Sequence, residues 1–215
     1  NNITNTGSGA VTITLGSGNN TILNSGTGGT MTVQIPTADG TITITGGSAS
    51  STVVYISSTN GSGGSLAGIL SAFTVNGAGN TTVWLDDSGS TVARTGTLIY
   101  DGSNYGTFSG FGMGSGGSVK FNGLTALNVL FNAKNDALNL TGNPAGLVNL
   151  YLGAGQNQIN VGDATHSLNN MVGSLGVIGT GNDTLTVTDI AGAANKTGSL
   201  SDTTLSGLGM GGSIT

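Results

Sequence analysis

Apolar residues alternate with threonine, serine or asparagine along short runs of this chain. Val11-Thr12-Ile13-Thr14-Leu15, Met31-Thr32-Val33-Gln34-Ile35, Thr41-Ile42-Thr43-Ile44-Thr45, Leu138-Asn139-Leu140, Val148-Asn149-Leu150-Tyr151-Leu152 and Ile159-Asn160-Val161 all do so. A period of two places the apolar set on one face of a strand and the polar set on the other. Outward threonine favours a strand through its β-branch. Turn phrases separate the runs. The clearest is Gly179-Thr180-Gly181-Asn182-Asp183, which leads into Thr184-Leu185-Thr186-Val187. Looser copies begin at Gly16, Gly77, Asn132 and Gly153. Glycine supplies positive φ, and Asn or Asp bonds back to its own backbone, so each phrase predicts a turn feeding a strand.

Less regular segments lie between. Val53-Val54-Tyr55-Ile56 predicts a buried strand, and Leu66 to Phe73 a short helical turn. Trp84 stands between inward Val83 and Leu85, and Tyr151 between inward Leu150 and Leu152. Both aromatics are therefore expected to face outward, where they can meet a sugar or a partner.

The chain repeats itself. Asn80, Val83, Leu85, Asp87, Arg94, Thr95, Gly96 and Leu98 match Asn182, Leu185, Val187, Asp189, Lys196, Thr197, Gly198 and Leu200 at a constant offset, 182 − 80 = 102. Phe108-Ser-Gly-Phe-Gly-Met113 then matches Leu205-Ser-Gly-Leu-Gly-Met210. This predicts two long units, 1–121 and 122–215, in one continuous solenoid. The last residues lead into the pattern that the first residues resume, as in a window on a longer tandem array. The expected fold is all-β, a parallel β-solenoid of about eight to ten coils, roughly 40–50 Å long at ~4.8 Å per coil. The alternative is a set of antiparallel β-sandwich repeats, since regular turns suit both; hairpin pairing of successive strands would mark it.

Composition narrows the class. Of 215 residues 41 are Gly and 2 are Pro, without the every-third-residue glycine of collagen. Only 6% are charged and the net charge is −5, too little for charge-driven disorder. All the acids are Asp, a turn residue. The four basic residues are spread singly, so no patch invites nucleic acid or an anionic membrane. No run is long and apolar enough to insert in a bilayer. Cysteine is absent, which removes disulfides and thiolate metal sites and suits a secreted chain.

Candidate chemistry is sparse. Ca²⁺ needs six to eight oxygens, and Asp136 and Asp183 are the candidates in the turn phrases; the structural reading is that they close turns. Asp86 and Asp87 are paired carboxylates, but neighbours on a strand point apart, and His166 is the one histidine, in an irregular segment. No enzyme is expected. Asp87 with Arg94, and Asp189 with Lys196, place an acid and a base seven residues apart in both units, which predicts ion pairs closing equivalent loops. Outward Thr12/Thr14, Thr41/Thr43 and Thr184/Thr186 suggest a threonine array for glycan or ice.

The phrases Gly-Asn-Asp-Thr-Leu-Thr-Val, Lys-Thr-Gly-Ser-Leu and Leu-Ser-Gly-Leu-Gly-Met-Gly-Gly resemble those of very large, repetitive bacterial surface proteins. These include calcium-repeat-like and filamentous-haemagglutinin-like adhesins. The resemblance implies a secreted, elongated β-solenoid that serves in adhesion, a cell-surface coat or an extracellular fibre, with copies of itself as end-to-end partners. A calcium-stabilised repeat domain is the variant in which Ca²⁺ occupies the Asp turns.

Overall fold

The computed structural model describes residues 1–59, 63–144, 146–162, 165, 167–191 and 194–215. Nineteen strands follow one another among these residues: β1 (Asn2–Asn5), β2 (Val11–Thr14), β3 (Asn20–Asn24), β4 (Thr30–Ile35), β5 (Ile42–Thr45), β6 (Ser51–Ile56), β7 (Ala72–Asn76), β8 (Thr81–Asp86), β9 (Thr95–Tyr100), β10 (Gly106–Gly110), β11 (Ser118–Asn122), β12 (Ala126–Leu130), β13 (Ala137–Leu140), β14 (Leu147–Tyr151), β15 (Gln158–Val161), β16 (Ser174–Ile178), β17 (Thr184–Val187), β18 (Gly198–Leu200) and β19 (Leu205–Gly207). The segment expected to form a helical turn holds only a tight turn before β7. Its counterpart, Leu168–Asn170, is a single 3₁₀ turn.

The chain winds between two sheets. One runs β1-β3-β5-β7-β11-β10-β9-β13-β15-β17, and the other β16-β14-β12-β8-β6-β4-β2. Successive strands therefore lie in opposite sheets over most of the length, and each pairs in parallel with a strand about one coil away. The fold is an all-β parallel solenoid. Apolar positions meet between the sheets as one continuous core: Ile22, Ile44 and Val75 from the first sheet and Val33, Val54, Val83 and Val129 from the second are fully buried. Ten strands at ~4.8 Å spacing give a stack about 43 Å long.

The sandwich alternative fails as a whole but survives locally. β10 is antiparallel to both β9 and β11. β18 and β19 repeat that hairpin, and Ile214 bridges antiparallel to Leu205 and parallel to Leu175 of β16. Gly96 explains why β10 fits: a Cβ there would run into the Phe111 ring. Its counterpart Gly198 would meet Leu208 Cγ at 2.7 Å. Phe111 and Leu208 both hold positive φ, 48° and 53°, so the turn after each hairpin strand takes the same left-handed shape.

The two hairpins lie on opposite sheets. An odd number of crossings separates β7 from its copy β16, so the second unit is turned half-way round the axis relative to the first. The first hairpin lengthens one sheet by two strands. The second, together with the Ile214 segment, lengthens the other, and both sheets reach ten levels.

Candidate functional site

Both oxygens of Asp136 and one oxygen of Asp183 are occupied by donors. Asp136 is 1% exposed. Its Oδ1 accepts from the Arg94 backbone N–H at 2.7 Å and from Asn132 Nδ2 at 3.0 Å, and its Oδ2 from the Asn132 N–H at 3.1 Å. Burial holds this carboxyl above the usual range, against the pull of those donors. The Asp136 N–H donates to Asn157 Oδ1 at 3.0 Å, and Asn157 donates its N–H and Nδ2 to Asp183 Oδ1 at 3.0 and 2.8 Å. The three turns thus form a side-chain ladder across β13, β15 and β17. Such a ladder satisfies orphan backbone donors, which is what a buried turn requires. Asp183 Oδ2 has no hydrogen-bond partner. Among the described residues no group of three or more His or acidic residues is placed to hold a metal.

Asp86 sits at the end of β8. Its Oδ1 accepts from the Ser88 N–H and hydroxyl at 2.9 and 2.6 Å, and its Oδ2 from the Gly64 N–H at 3.1 Å and the Ser57 hydroxyl at 3.4 Å. Asp87 is fully buried beside it, where burial raises its carboxyl above the usual range. Its Oδ1 accepts from the Leu66 N–H at 3.2 Å, and Arg94 Nε lies 3.5 Å from Oδ2, an ionic contact beyond hydrogen-bond length. His166 lies outside the described residues.

The second unit repeats this arrangement. Asp189 Oδ1 accepts from the Leu168 N–H at 2.9 Å, and Lys196 Nζ stands 2.9 Å from Oδ2. Leu66 and Leu168 are themselves 102 residues apart. In both loops an acid ties the preceding coil's turn to a base seven residues downstream.

The outer face of the seven-stranded sheet carries an assembly of half-buried aromatic side chains outside the core. Tyr55 on β6 is in register with Trp84 on β8. Their rings lie 6.3 Å apart and 17° from parallel. Trp84 and Tyr151 of β14 are 6.0 Å apart, again at 17°. Strand β12 runs between these last two, with Asn128 in register with Trp84 and Leu130 with Tyr151; Asn128 is 4% exposed and accepts from Asn149 Nδ2 at 2.9 Å. Tyr55, Trp84 and Leu130 border a groove of about 260 Å³ that ends at Ser57, Thr59 and Asp86. Trp84 and Tyr151 thus stand outward and together. Tyr55, their third member, is hidden in the sequence inside an apolar run; its place between buried Val54 and Ile56 is the signal that turns it outward.

The threonine array does not assemble as one surface. Thr12 and Thr14 belong to β2, whereas Thr43 and Thr186 belong to the other sheet. In register, Thr12 and Thr32 are followed by Val53, and Thr43 and Thr74 by Lys120. Compared with known proteins, the sequence matches no family model and no curated protein.

Proposed function

We propose that this chain is a length of extracellular structural or adhesive rod, of the kind used in a bacterial cell-surface coat, adhesin stalk or fibre. The observation that supports this most is the build of the stack. One core runs its length, the side faces are mostly uncharged with Lys120 of β11 an exception, and the last levels leave core positions open. Leu200 is 79% exposed although its counterpart Leu98 is fully buried under β13. Leu185 is 43% exposed although its counterpart Val83 is fully buried. In this reading β17 and β18 seat further coils of the same kind, just as β8 and β9 seat β12 and β13, with a second copy's β1 and β2 as occupants. Quasi-one-dimensional stacks gain stability from each added neighbour. Open strand edges with low charge invite such pairing.

The proposed rod performs no chemistry. Asp86 gives its lone pairs to four donors, and Asp87 has no route to solvent. Secretion is supported by the lack of thiols and by the low charge of the chain. The test is size and shape at rising concentration, by light scattering and electron imaging. End-to-end growth into thin filaments of constant width supports the reading; a monomer at every concentration, or lateral clumping, refutes it.

A further inference from the structure

We infer that the Tyr55–Trp84–Tyr151 strip is a binding site for a neutral oligosaccharide chain laid across the strands of the seven-stranded sheet. This rests on the adhesive reading and names its contact surface and ligand class. Three features choose the occupant.

Ring geometry comes first. Three aromatic rings in near-parallel planes run across β6, β8, β12 and β14, and each is only half-buried. Exposed Ile178 of β16, in register with Tyr151, continues the line. A pyranose offers an apolar C–H face to such a ring and directs its hydroxyls sideways. Aromatic side chains are suited to a partner that is apolar on one side and wet on the other.

The flanks are next. Thr82 stands outward on β8 beside Trp84, and Asn149 on β14 beside Tyr151. Gln34 of β4 is in register with Tyr55. Ser57 and Thr59 place hydroxyls at the end of the groove. These groups can donate or accept, as sugar hydroxyls can. An apolar floor with a few placed polar groups is the common form of a small-ligand site.

Charge and size exclude the alternatives. Among the described residues no cation borders the groove, so none there attracts an anionic chain. Asp86, the only acid among the described lining residues, is already saturated by donors. The strip is two side-chain rows wide, with Tyr55 and Trp84 in one and Leu130, Tyr151 and Ile178 in the next. A stable protein interface needs about 800 Å² from each partner, with a broad apolar centre.

Trp84 is the only tryptophan in the chain, so its fluorescence reports from the site itself. The experiment titrates the full chain with cellohexaose, N-acetylchitohexaose and maltohexaose. The expected result is a saturable emission change with at least one of them below about 1 mM. Tyr151→Ala should weaken that binding about tenfold or more, in the range of loss of one stacked ring. Tyr105→Ala, on the other sheet's hairpin, should leave it unchanged. Melting curves confirm that both variants are folded. No emission change with any of the three, or equal binding by Tyr151→Ala, overturns the site. Filament growth, scored on the same samples, separates the two ideas. Filaments without an emission change leave the rod standing and remove the sugar strip.

Discussion

Lys196 reaches Asp189 with its ammonium nitrogen 2.9 Å from Oδ2 and 3.0 Å from Oδ1, while the equivalent Arg94 stops 3.5 Å short of Asp87. The two loops share a plan but differ in electrostatics. The hydrogen bond from Lys196, and then the Leu168 N–H, hold the Asp189 carboxyl below the usual range. At Asp87 burial wins and the carboxyl is held above it.

Opposite pH responses follow from linkage. Folded Asp189 binds its proton less tightly than the unfolded chain does. Its contribution is complete above the unfolded carboxylate pKa of ~3.9 and is lost as pH falls through the lower folded value. Folded Asp87 binds its proton more tightly. Its contribution is complete below ~3.9 and is lost as pH rises through the higher folded value. Asp189→Asn should therefore lower the melting temperature at neutral pH and converge with the parent in strong acid. Asp87→Asn should reduce the parent's loss of stability on the alkaline side of pH ~3.9. Thermal melts across this range check both, and parallel curves for the two variants would contradict the assignment.

Chelation bears on the Asp turns. Asp136 spends its oxygens on Arg94 and Asn132 donors, so a cation would have to displace them. EDTA is expected to leave the melting temperature unchanged. A fall that Ca²⁺ reverses would place metal on this ladder.

Much of the winding was legible in residue order. Val11/Ile13 and Ile42/Ile44 alternate cleanly, and their side chains do point into the core. The offset of 102 also relates Leu66 to Leu168, whose N–H groups meet the equivalent acids Asp87 and Asp189. The hairpins were not legible. Gly106 to Gly110 reads as loop because glycine hides the strand period, and only contact with β9 and β11 explains those glycines. The aromatic strip was half legible: outward facing follows from alternation, but the meeting of Trp84 with Tyr151 across β12 depends on how far each ring leans.

The hairpin turn offers a packing test. Phe111 is fully buried, and its ring meets Phe131 edge-on at 4.8 Å. Phe111→Ala should cost about 3–5 kcal/mol. Leu208→Ala, at the partly buried counterpart, should cost clearly less. Gly96→Ala forces a methyl against the Phe111 ring and should cost about 1–3 kcal/mol. Urea unfolding at constant m-value measures all three.

Leu98 and Leu200 give the final test, because they are one position in two settings. Leu98 is enclosed: it lies in register with Leu140 of β13 on one side and Phe108 of β10 on the other. Leu200 has Leu205 of β19 on one side and solvent on the other. Leu98→Ala should therefore cost about 2–5 kcal/mol at any protein concentration. Leu200→Ala should cost under ~0.5 kcal/mol in dilute solution, as for an ordinary surface change. Concentration separates the two further. If β18 seats a second copy's strand, the parent's melting temperature rises with concentration by mass action, and Leu200→Ala reduces that rise. Melting curves over a hundredfold concentration range would show it. A concentration-dependent rise that Leu200→Ala leaves untouched would place the contact elsewhere on the rod.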